Sequence, residues 1–460
     1  MNLLAKLQDI VGAKHLLTGA DCKRYSHDTT GDYNGNPLAV VRPADTGEVS
    51  GIVKLANQNG TAIVPISGNT GLVGGSYSDG AIILSLERLN SIIDLRPDAR
   101  IAIVQSGCVV SKLQDRAQDH NLIFPLLFGA RDSAMIGGAL STNAGGSNVL
   151  RYGSTRALCL GLEVVMPSGE VMDLMSELHK DNSGYDLKDL FIGAEGTLGI
   201  ITKAVLKLFP KPNVYATAMV ALPSLADALQ LLNQLQTETG GLVEAFEFIP
   251  DSFMQLYADH FPGSRPVFER DYKVNILLEI ASSSEGNAIG KILENCLAKI
   301  LGTGQILDAI IAQNEAQRAA FWARREASAE VVFAISPRVD SDVCLGLDKT
   351  TDFFEQIAPR ILKLDKDAKT TCVAHLGDGN LHFSVLPSRD DKKLTNQLTE
   401  AIEDVVKSLG GSFSAEHGVG LSKRPSMARR KDPVALATMH QIKTALDPNN
   451  IMNPGKVLPD

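Results

Sequence analysis

Residues 65–76 read PISGNTGLVGGS. The β-rich run TAIVPIS leads straight into a loop in which Gly68, Gly71, Gly74 and Gly75 are mixed with Ser67, Asn69, Thr70 and Ser76. Glycine lets a backbone come close to a ligand and take positive φ, and exposed N–H groups in such turns cradle phosphate oxygens. One such loop is ordinary turn chemistry. Two more segments repeat the pattern. One runs from Gly129 through IGGALSTNAGGSNVLRYG to Gly153, and the other is FIGAEGTLGIIT at 191–202. None of them is GxGxxG after a first strand with an acid about 20 positions on, and none is GxxxxGK[ST]. That argues against a nicotinamide dinucleotide on a Rossmann fold and against a P-loop nucleotide. A large phosphate-bearing cofactor wrapped by several loops fits better.

Around these loops the chain alternates strands and helices. Residues 38–66 read as a βαβ-like unit: LAVVRP, a helix opened by Asp45 with Glu48 as its capping box and stopped by Asn59-Gly60, then TAIVPIS. AIILSL and IAIVQSG are further strands, EVVM-PSG-EVMDL at 163–174 is a hairpin, and 200–210 closes this half. From Asn213 the order is strand, helix with Ser224 as N-cap, two strands, the helix EGNAIGKILENCLAKIL and a strand. This predicts an antiparallel sheet with helices on one face. A long helix over 314–333 and helices at 349–364 and 394–408 follow, and the last fifty residues read as mostly helical.

Composition narrows the function. The formal net charge is −9 and no basic stripe stands out, which argues against a nucleic-acid partner. No apolar run reaches the ~18–20 residues of a membrane span. MNLLAKLQDIVGAKHLL carries Asp9 and reads as an amphipathic surface helix rather than a signal peptide. The six cysteines, Cys22, Cys108, Cys159, Cys296, Cys344 and Cys372, form no CxxC pair, so buried reduced thiols and a cytoplasmic location are expected.

The second half holds HLGDGNLH at 375–382. Read as a hairpin turning on Asp378-Gly379, it pairs His375 directly with His382. Opposed residues hold their Cβ atoms ~4.5–5.5 Å apart, so two imidazoles there can share one ion. Glu416, beside His417 in SAEHGVG, is the candidate third ligand, and His₂Glu leaves an open position for substrate. A lone strand histidine is more often a satisfied structural residue. A cross-strand pair of histidines with Glu416 and His417 converging on it is harder to read that way.

SGNTGLVGG, TNAGG…RYG, DNSGYDLKDLFIGAEGTLGIIT, HLGDGNLH and EHGVG together resemble the FAD-binding oxidoreductases of the vanillyl-alcohol-oxidase type. The likeness is to the branch that holds the FAD-binding component of glycolate oxidase, the D-lactate dehydrogenases and the D-2-hydroxyglutarate dehydrogenases, and it runs from about residue 35 to residue 457. It implies an α+β chain: a two-part FAD-binding domain (1–212), an antiparallel-sheet substrate or cap domain with the metal hairpin (213–410), and a helical C-terminal segment returning to the FAD domain (411–460). It implies FAD contacts at Ser67, Gly68, Asn69, Thr70, Gly71, Leu72, Gly75 and Ser76 around the pyrophosphate. Further contacts are implied at Pro125, Gly137, Gly138, Thr142, Asn143, Gly145, Gly146, Tyr152, Gly153, Glu195, Gly199, Ile200, Ile201 and Asn453. Covalent members carry a flavin-bonding histidine in the first loop. Ser67-Gly68-Asn69-Thr70 has none, so non-covalent FAD is expected.

The resemblance further implies zinc or a similar divalent ion on His375, His382 and Glu416, with His417 as general base. Arg325, in Trp322-Ala323-Arg324-Arg325, would grip the substrate carboxylate, with Asn380, His375 and His382 also at the substrate. The reaction implied is hydride transfer from C2 of a D-2-hydroxy acid (D-lactate, D-2-hydroxyglutarate, D-malate or similar) to flavin N5. The electron acceptor would be a quinone, an electron-transfer flavoprotein or a cytochrome, and a homodimer is implied. Glutarate-specific members have a lysine where this chain, aligned on Asp342, has Asp340 (Arg338 could stand in only with a shift of two), and an asparagine where it has Ser384, which counts against glutarate specificity but not against the chemistry at C2. Two other uses of the fold stay open: a non-redox flavoprotein of the alkyl-glycerone-phosphate synthase type, and an FAD-binding component of a larger glycolate-oxidase-like complex.

Overall fold

The computed structural model describes residues 2–284 and 288–460, so the start of the EGNAIGKILENCLAKIL helix at 285–287 lies outside the described residues. The chain forms two compact units. The first is Met1–Gly145, Tyr152–Lys211 and Glu416–Asp460, and the second is Gly146–Arg151 and Pro212–Ala415.

The first unit begins with the amphipathic helix Leu3–Val11, capped where Asn2 Oδ1 accepts the Leu4 N–H at 2.8 Å. It buries Leu7 and Val11 in a core shared with Val49, Ile52 and Val53 of the helix Thr46–Asn59. Asp45 caps that second helix by accepting the Glu48 N–H at 2.9 Å, while Glu48 reaches back to the Ala44 N–H at 2.7 Å. Gly60 ends it in the left-handed conformation. The strands on either side, Ala39–Val41 and Ile63–Ile66, both pair in parallel with Ile82–Ser85, which lies between them.

A separate antiparallel sheet runs in the order Ile92–Arg96, Ile101–Gln105, Ile200–Lys207, Cys159–Val165, Val171–Leu174. Its last two strands are the hairpin expected around Pro-Ser-Gly, with Val165 paired to Val171. The edge strand Ile92–Arg96 is half exposed, and it left no clear hydrophobic pattern to read.

The C-terminal stretch is not mostly helical. Beyond residue 410 the helices are Arg424–Arg430 and Pro433–Leu446, and the rest is irregular. Positive φ at Gly418, Gly420, Asn450, Asn453 and Val457 keeps those stretches out of a helix.

The second unit is built on a seven-stranded antiparallel sheet in the order Asp308–Ile311, Val214–Leu222, Val274–Ser282, Val243–Pro250, Lys369–His375, Asn380–Leu386, Val339–Cys344. Helices cover both faces, not one. Ala226–Thr239, Ile289–Thr303, Thr350–Leu364 and Lys392–Ser408 pack on the face with Phe246, Phe383 and Leu278. Asp251–His260, Glu315–Glu326 and Ser328–Phe333 pack over Met219, Leu277 and Val373 on the other. The central strands are buried along nearly their whole length instead of alternating, and such strands need a cover on each side.

Two local expectations also change. Ser224 does not cap its helix, because its N–H and its hydroxyl both donate to Asp227 Oδ2, at 3.0 and 2.7 Å. The helix expected over 314–333 is two helices meeting at Ala327, and the second lays Val331 and Val332 into the core with Phe321 and Trp322.

Candidate active site

In the first unit the loop 67–76 is held on both sides. Asn69 takes φ +53°, its Nδ2 donates to His27 O at 2.9 Å, and its Oδ1 accepts from Ser76 Oγ at 2.7 Å. Gly68 lies so close to its neighbour that an added Cβ would sit 2.2 Å from Ser133 O. A cavity of about 380 Å³ opens against Ser67, Gly68 and Asn69, walled also by Arg24, His27 and Met135. Gly138 faces Ser67 across this loop, and the Gly137 N–H donates to Ser106 O at 2.7 Å. Thr142 ends the helix Ile136–Thr142, and Asn143 Oδ1 accepts the Arg156 N–H at 2.9 Å. Pro125 and Gly145 are buried, Gly146 falls in the second unit, and Tyr152 packs edge-on against Phe209. Gly199 is pressed against Val164, and Ile200 and Ile201 point into core.

The segment after Glu416 is fastened to this loop system. Glu195, buried at φ +51°, accepts the Val419 N–H at 2.7 Å and the Gly420 N–H at 2.9 Å. Burial pushes its carboxyl up from the usual range, and those two amides oppose the rise. Asn453 Nδ2 ties the cluster together by donating to Glu195 O at 2.8 Å and to Gly75 O at 3.1 Å. Lys456 is buried beside Tyr77, and among the described residues its ammonium has only long contacts, 3.4 Å to Asn453 Oδ1 and 3.5 Å to Pro454 O. Burial drives its pKa down to about 8. A glycine-lined cradle, a cavity and a buried cation with weak partners fit a cofactor that carries phosphate.

In the second unit the hairpin keeps both histidines but in another register. His375 pairs with Asn380 and His382 with Val373, so the connection is 376–379 rather than Asp378-Gly379 alone. The longer loop is fixed by the Gly377 N–H on Phe246 O at 3.1 Å and the Asp378 N–H on His375 O at 3.2 Å. A slip of two positions preserves the face of every side chain. The imidazoles therefore still meet, with ring centroids 5.3 Å apart and planes at 81°.

Around them lies a polar row on the sheet face. Glu247, on the neighbouring strand and in register with His375, holds His375 Nδ1 at 2.9 Å and accepts from Arg325 Nε at 2.6 Å. Burial would raise the Glu247 pKa, but the charges of His375 and Arg325 overcome it and hold the carboxyl below its ordinary value. Arg325 Nη2 lies 3.2 Å from His375 Nε2 and its Nη1 donates to Ser328 Oγ at 3.2 Å. Asp342 is paired across from His382, with Oδ1 3.8 Å from Nδ1. Asn380 Nδ2 donates to Asp342 Oδ1 at 2.9 Å, and its buried Oδ1 has no donor among the described residues. Farther along, Glu279 receives Arg318, Trp322 Nε1 and Thr217 Oγ1. Arg318, Trp322 and Arg325 are spaced to share one helix face.

The structure brings the two histidines, Asn380 and Arg325 together on one sheet face, and it adds Glu247 and Glu279 there and Lys456 in the first unit, which the sequence pattern did not single out. The signal for the two acids was there: each is a carboxylate inside an otherwise apolar strand run, LVEAFEFI and KVNILLEIAS. Such a charge is expected to have a partner. Glu416 and His417 belong to the first unit, and the hairpin belongs to the second.

Comparison with known proteins gives this arrangement a setting. Residues 37–175 match the FAD binding domain family and residues 211–457 match the FAD linked oxidases, C-terminal domain family. The chain is 36% identical to the mitochondrial D-2-hydroxyglutarate dehydrogenase of Bos taurus, over 99% of this chain and 83% of that one. It is 34% identical to the D-2-hydroxyglutarate dehydrogenase of Xanthomonas citri pv. viticola, over 99% of this chain and 96% of the other. The fold is also that of p-cresol methylhydroxylase with substrate bound, with a TM-score of 0.75 at 18% identity, covering 99% of this chain and 96% of that one. With a family model over more than half its length and relatives this similar along nearly all of it, the chain belongs to the FAD-linked oxidase family that includes the D-2-hydroxyglutarate dehydrogenases.

Proposed function

We propose that this chain is an FAD-dependent dehydrogenase that oxidises the C2 CH–OH of a D-2-hydroxy acid to the 2-oxo acid. FAD, when bound, accepts the hydride from C2. The glycine loops of the first unit hold it without a covalent bond. His417 takes the hydroxyl proton as general base. Arg325 and Asn380 orient the substrate: the guanidinium is steadied through Nε by Glu247, and Asn380 Oδ1 is a buried acceptor awaiting a donor such as a hydroxyl. We assign His375, His382 and Glu416 as ligands of a divalent cation, zinc by the chemistry of the set, which would stabilise the developing alkoxide.

The observation that carries this reading is the pair of imidazoles on one sheet face, 5.3 Å apart, with the carboxylate Glu247 behind His375. A carboxylate behind a histidine fixes its tautomer, as is usual for histidines that bind metal. The Ala415 N–H donates to Asp342 O and Oδ2, both at 3.2 Å, and Glu416 and His417 are the next residues in the chain. The reoxidant we infer is a quinone, an electron-transfer flavoprotein or a cytochrome, and a homodimer is part of the same reading. Free cysteines at all six positions support a reducing compartment such as the cytoplasm. Among the described residues no helix is long and apolar enough to cross a membrane.

The test is anaerobic mixing of the FAD-loaded protein with D- and L-2-hydroxy acids while the flavin absorbance is followed. D-lactate, D-malate or D-2-hydroxyglutarate should bleach it and their L forms should not. No bleaching by any D-2-hydroxy acid would sink the reading.

A further inference from the structure

Glu195 lies in the third glycine-rich segment, where the family likeness makes it a cofactor contact. Its geometry points elsewhere. Both carboxylate oxygens are already used, Oε1 by the Val419 N–H at 2.7 Å and Oε2 by the Gly420 N–H at 2.9 Å. These donors are the second and third residues after His417. Gly418, between His417 and Val419, has φ +78°, and a Cβ there would come within 2.7 Å of Glu195 Oε1. So the segment rests directly on the carboxylate with no side chain between. Gly420, at φ +47°, would meet Val73 O at 2.2 Å, and Val73 O in turn accepts the Leu421 N–H at 2.8 Å. Glu195 itself is a non-glycine residue held at φ +51°, anchored by its N–H on Ser141 O at 2.8 Å and by Asn453 on its carbonyl. A strained backbone with two charge-assisted bonds to consecutive amides is an over-determined clamp.

We propose that Glu195 is a positioning residue: its carboxylate seizes the amides of Val419 and Gly420 and so fixes where the chain presents His417. This rests on the role assigned above to His417 as base. The carboxylate does not take the proton itself. It sets the backbone from which the imidazole projects, and misplacing such a group by about 1 Å costs on the order of 100-fold in rate.

The experiment uses the FAD-loaded full chain. Glu195→Gln keeps the shape but turns one acceptor into a donor, so one of the two amides loses its partner. Amide hydrogen exchange should accelerate about tenfold or more at 418–420 while the FAD-to-protein ratio stays at the wild-type value. With the best D-2-hydroxy acid, the limiting rate of flavin reduction should fall about 10- to 100-fold and the half-saturating concentration should stay within about twofold. Gly418→Ala attacks the same contact from the other side and should reproduce both effects, so the idea remains testable if the first variant folds poorly. Unchanged exchange and unchanged reduction in both variants would overturn it. So would a rate loss matched by an equal loss of FAD, which would make Glu195 a cofactor ligand. His417→Ala separates the layers: if that variant reduces flavin at full rate while Glu195→Gln loosens 418–420, the clamp is real and the base assignment is wrong.

Discussion

Lys456 puts a charge where the protein can least afford one. The residue is 6% exposed, its ammonium sits over the Tyr77 ring, and among the described residues that ammonium has no hydrogen bond shorter than 3.4 Å. Burial lowers its pKa from 10.5 to about 8. Below that value the lysine is charged in both folded and unfolded chains, and the cost of burying the charge is borne in full. Between about 8 and 10.5 the unfolded chain binds the proton and the folded one has shed it, so stability contributed by this group rises with pH through that window. Lys456→Met in the FAD-free protein should therefore raise stability near pH 7 by up to ~3 kcal/mol. It should also flatten the climb in stability above pH 8. Thermal unfolding at a series of pH values checks both, and a variant that melts lower at neutral pH contradicts the account. The sequence hid this residue because a lysine in a C-terminal NPGKV reads as solvated surface. By contrast His375, His382 and Asn380 were legible, since HLGDGNLH combines turn chemistry with unusual residue types at a fixed spacing.

At the scale of elements, the hairpin shows what a pattern can and cannot specify. Alternation fixed which side chains share a face, because the strand period is two. It did not fix the register, because that depended on Phe246 O reaching the Gly377 N–H from another strand, and on Gly379, whose φ of +83° lets it pass under Leu345 O. Long-range partners of this kind leave no local trace. The same strand pair carries a prediction about substrate choice. Asp340 faces Ser384 across the ladder, two positions along from the Asp342–His382 pair and on the same face. It accepts from Ser384 Oγ at 2.8 Å and from Arg338 Nε at 2.7 Å. A substrate tail lying along this row meets a carboxylate already balanced by the Arg338 guanidinium, an ion pair that offers no net positive charge to a second carboxylate. Asp340→Lys replaces that balance with two cations. Its flavin reduction efficiency with D-2-hydroxyglutarate relative to D-lactate should rise about tenfold, or ~1.4 kcal/mol. Stopped-flow reduction with the two acids measures the ratio, and no change would place the distal end of the substrate elsewhere.

On the scale of the whole molecule, the chain order and the packing order differ. The first unit is assembled from three stretches of chain and the second from two, so a short piece, Gly146–Arg151, is separated from the rest of its own unit by the stretch Tyr152–Lys211 of the other. No composition shift marks that piece; it lies inside a glycine-rich run whose residue types all suit a loop. Its side chains explain why it belongs where it does. Leu150 packs against the core of the second unit and lies against Gly377, where a Cβ would be 2.7 Å from it. Arg151 Nη1 bonds Glu244 Oε1 at 3.2 Å and Ala281 O at 2.8 Å, and Glu244 is buried. A fragment of residues 212–415 alone keeps the seven strands but loses this arginine and this leucine. Removing one partner of a buried ion pair costs ~3–5 kcal/mol, and deleting a packed leucine side chain costs ~2–5 kcal/mol. The fragment should therefore melt well below the same unit in the full chain, or fail to fold. Glu244→Gln should recover part of the loss in the fragment and none in the intact protein, because only the fragment has lost the guanidinium. Calorimetry of the two fragments and two full chains checks this; equal melting of fragment and full chain would mean that 146–151 adds nothing to the fold it joins.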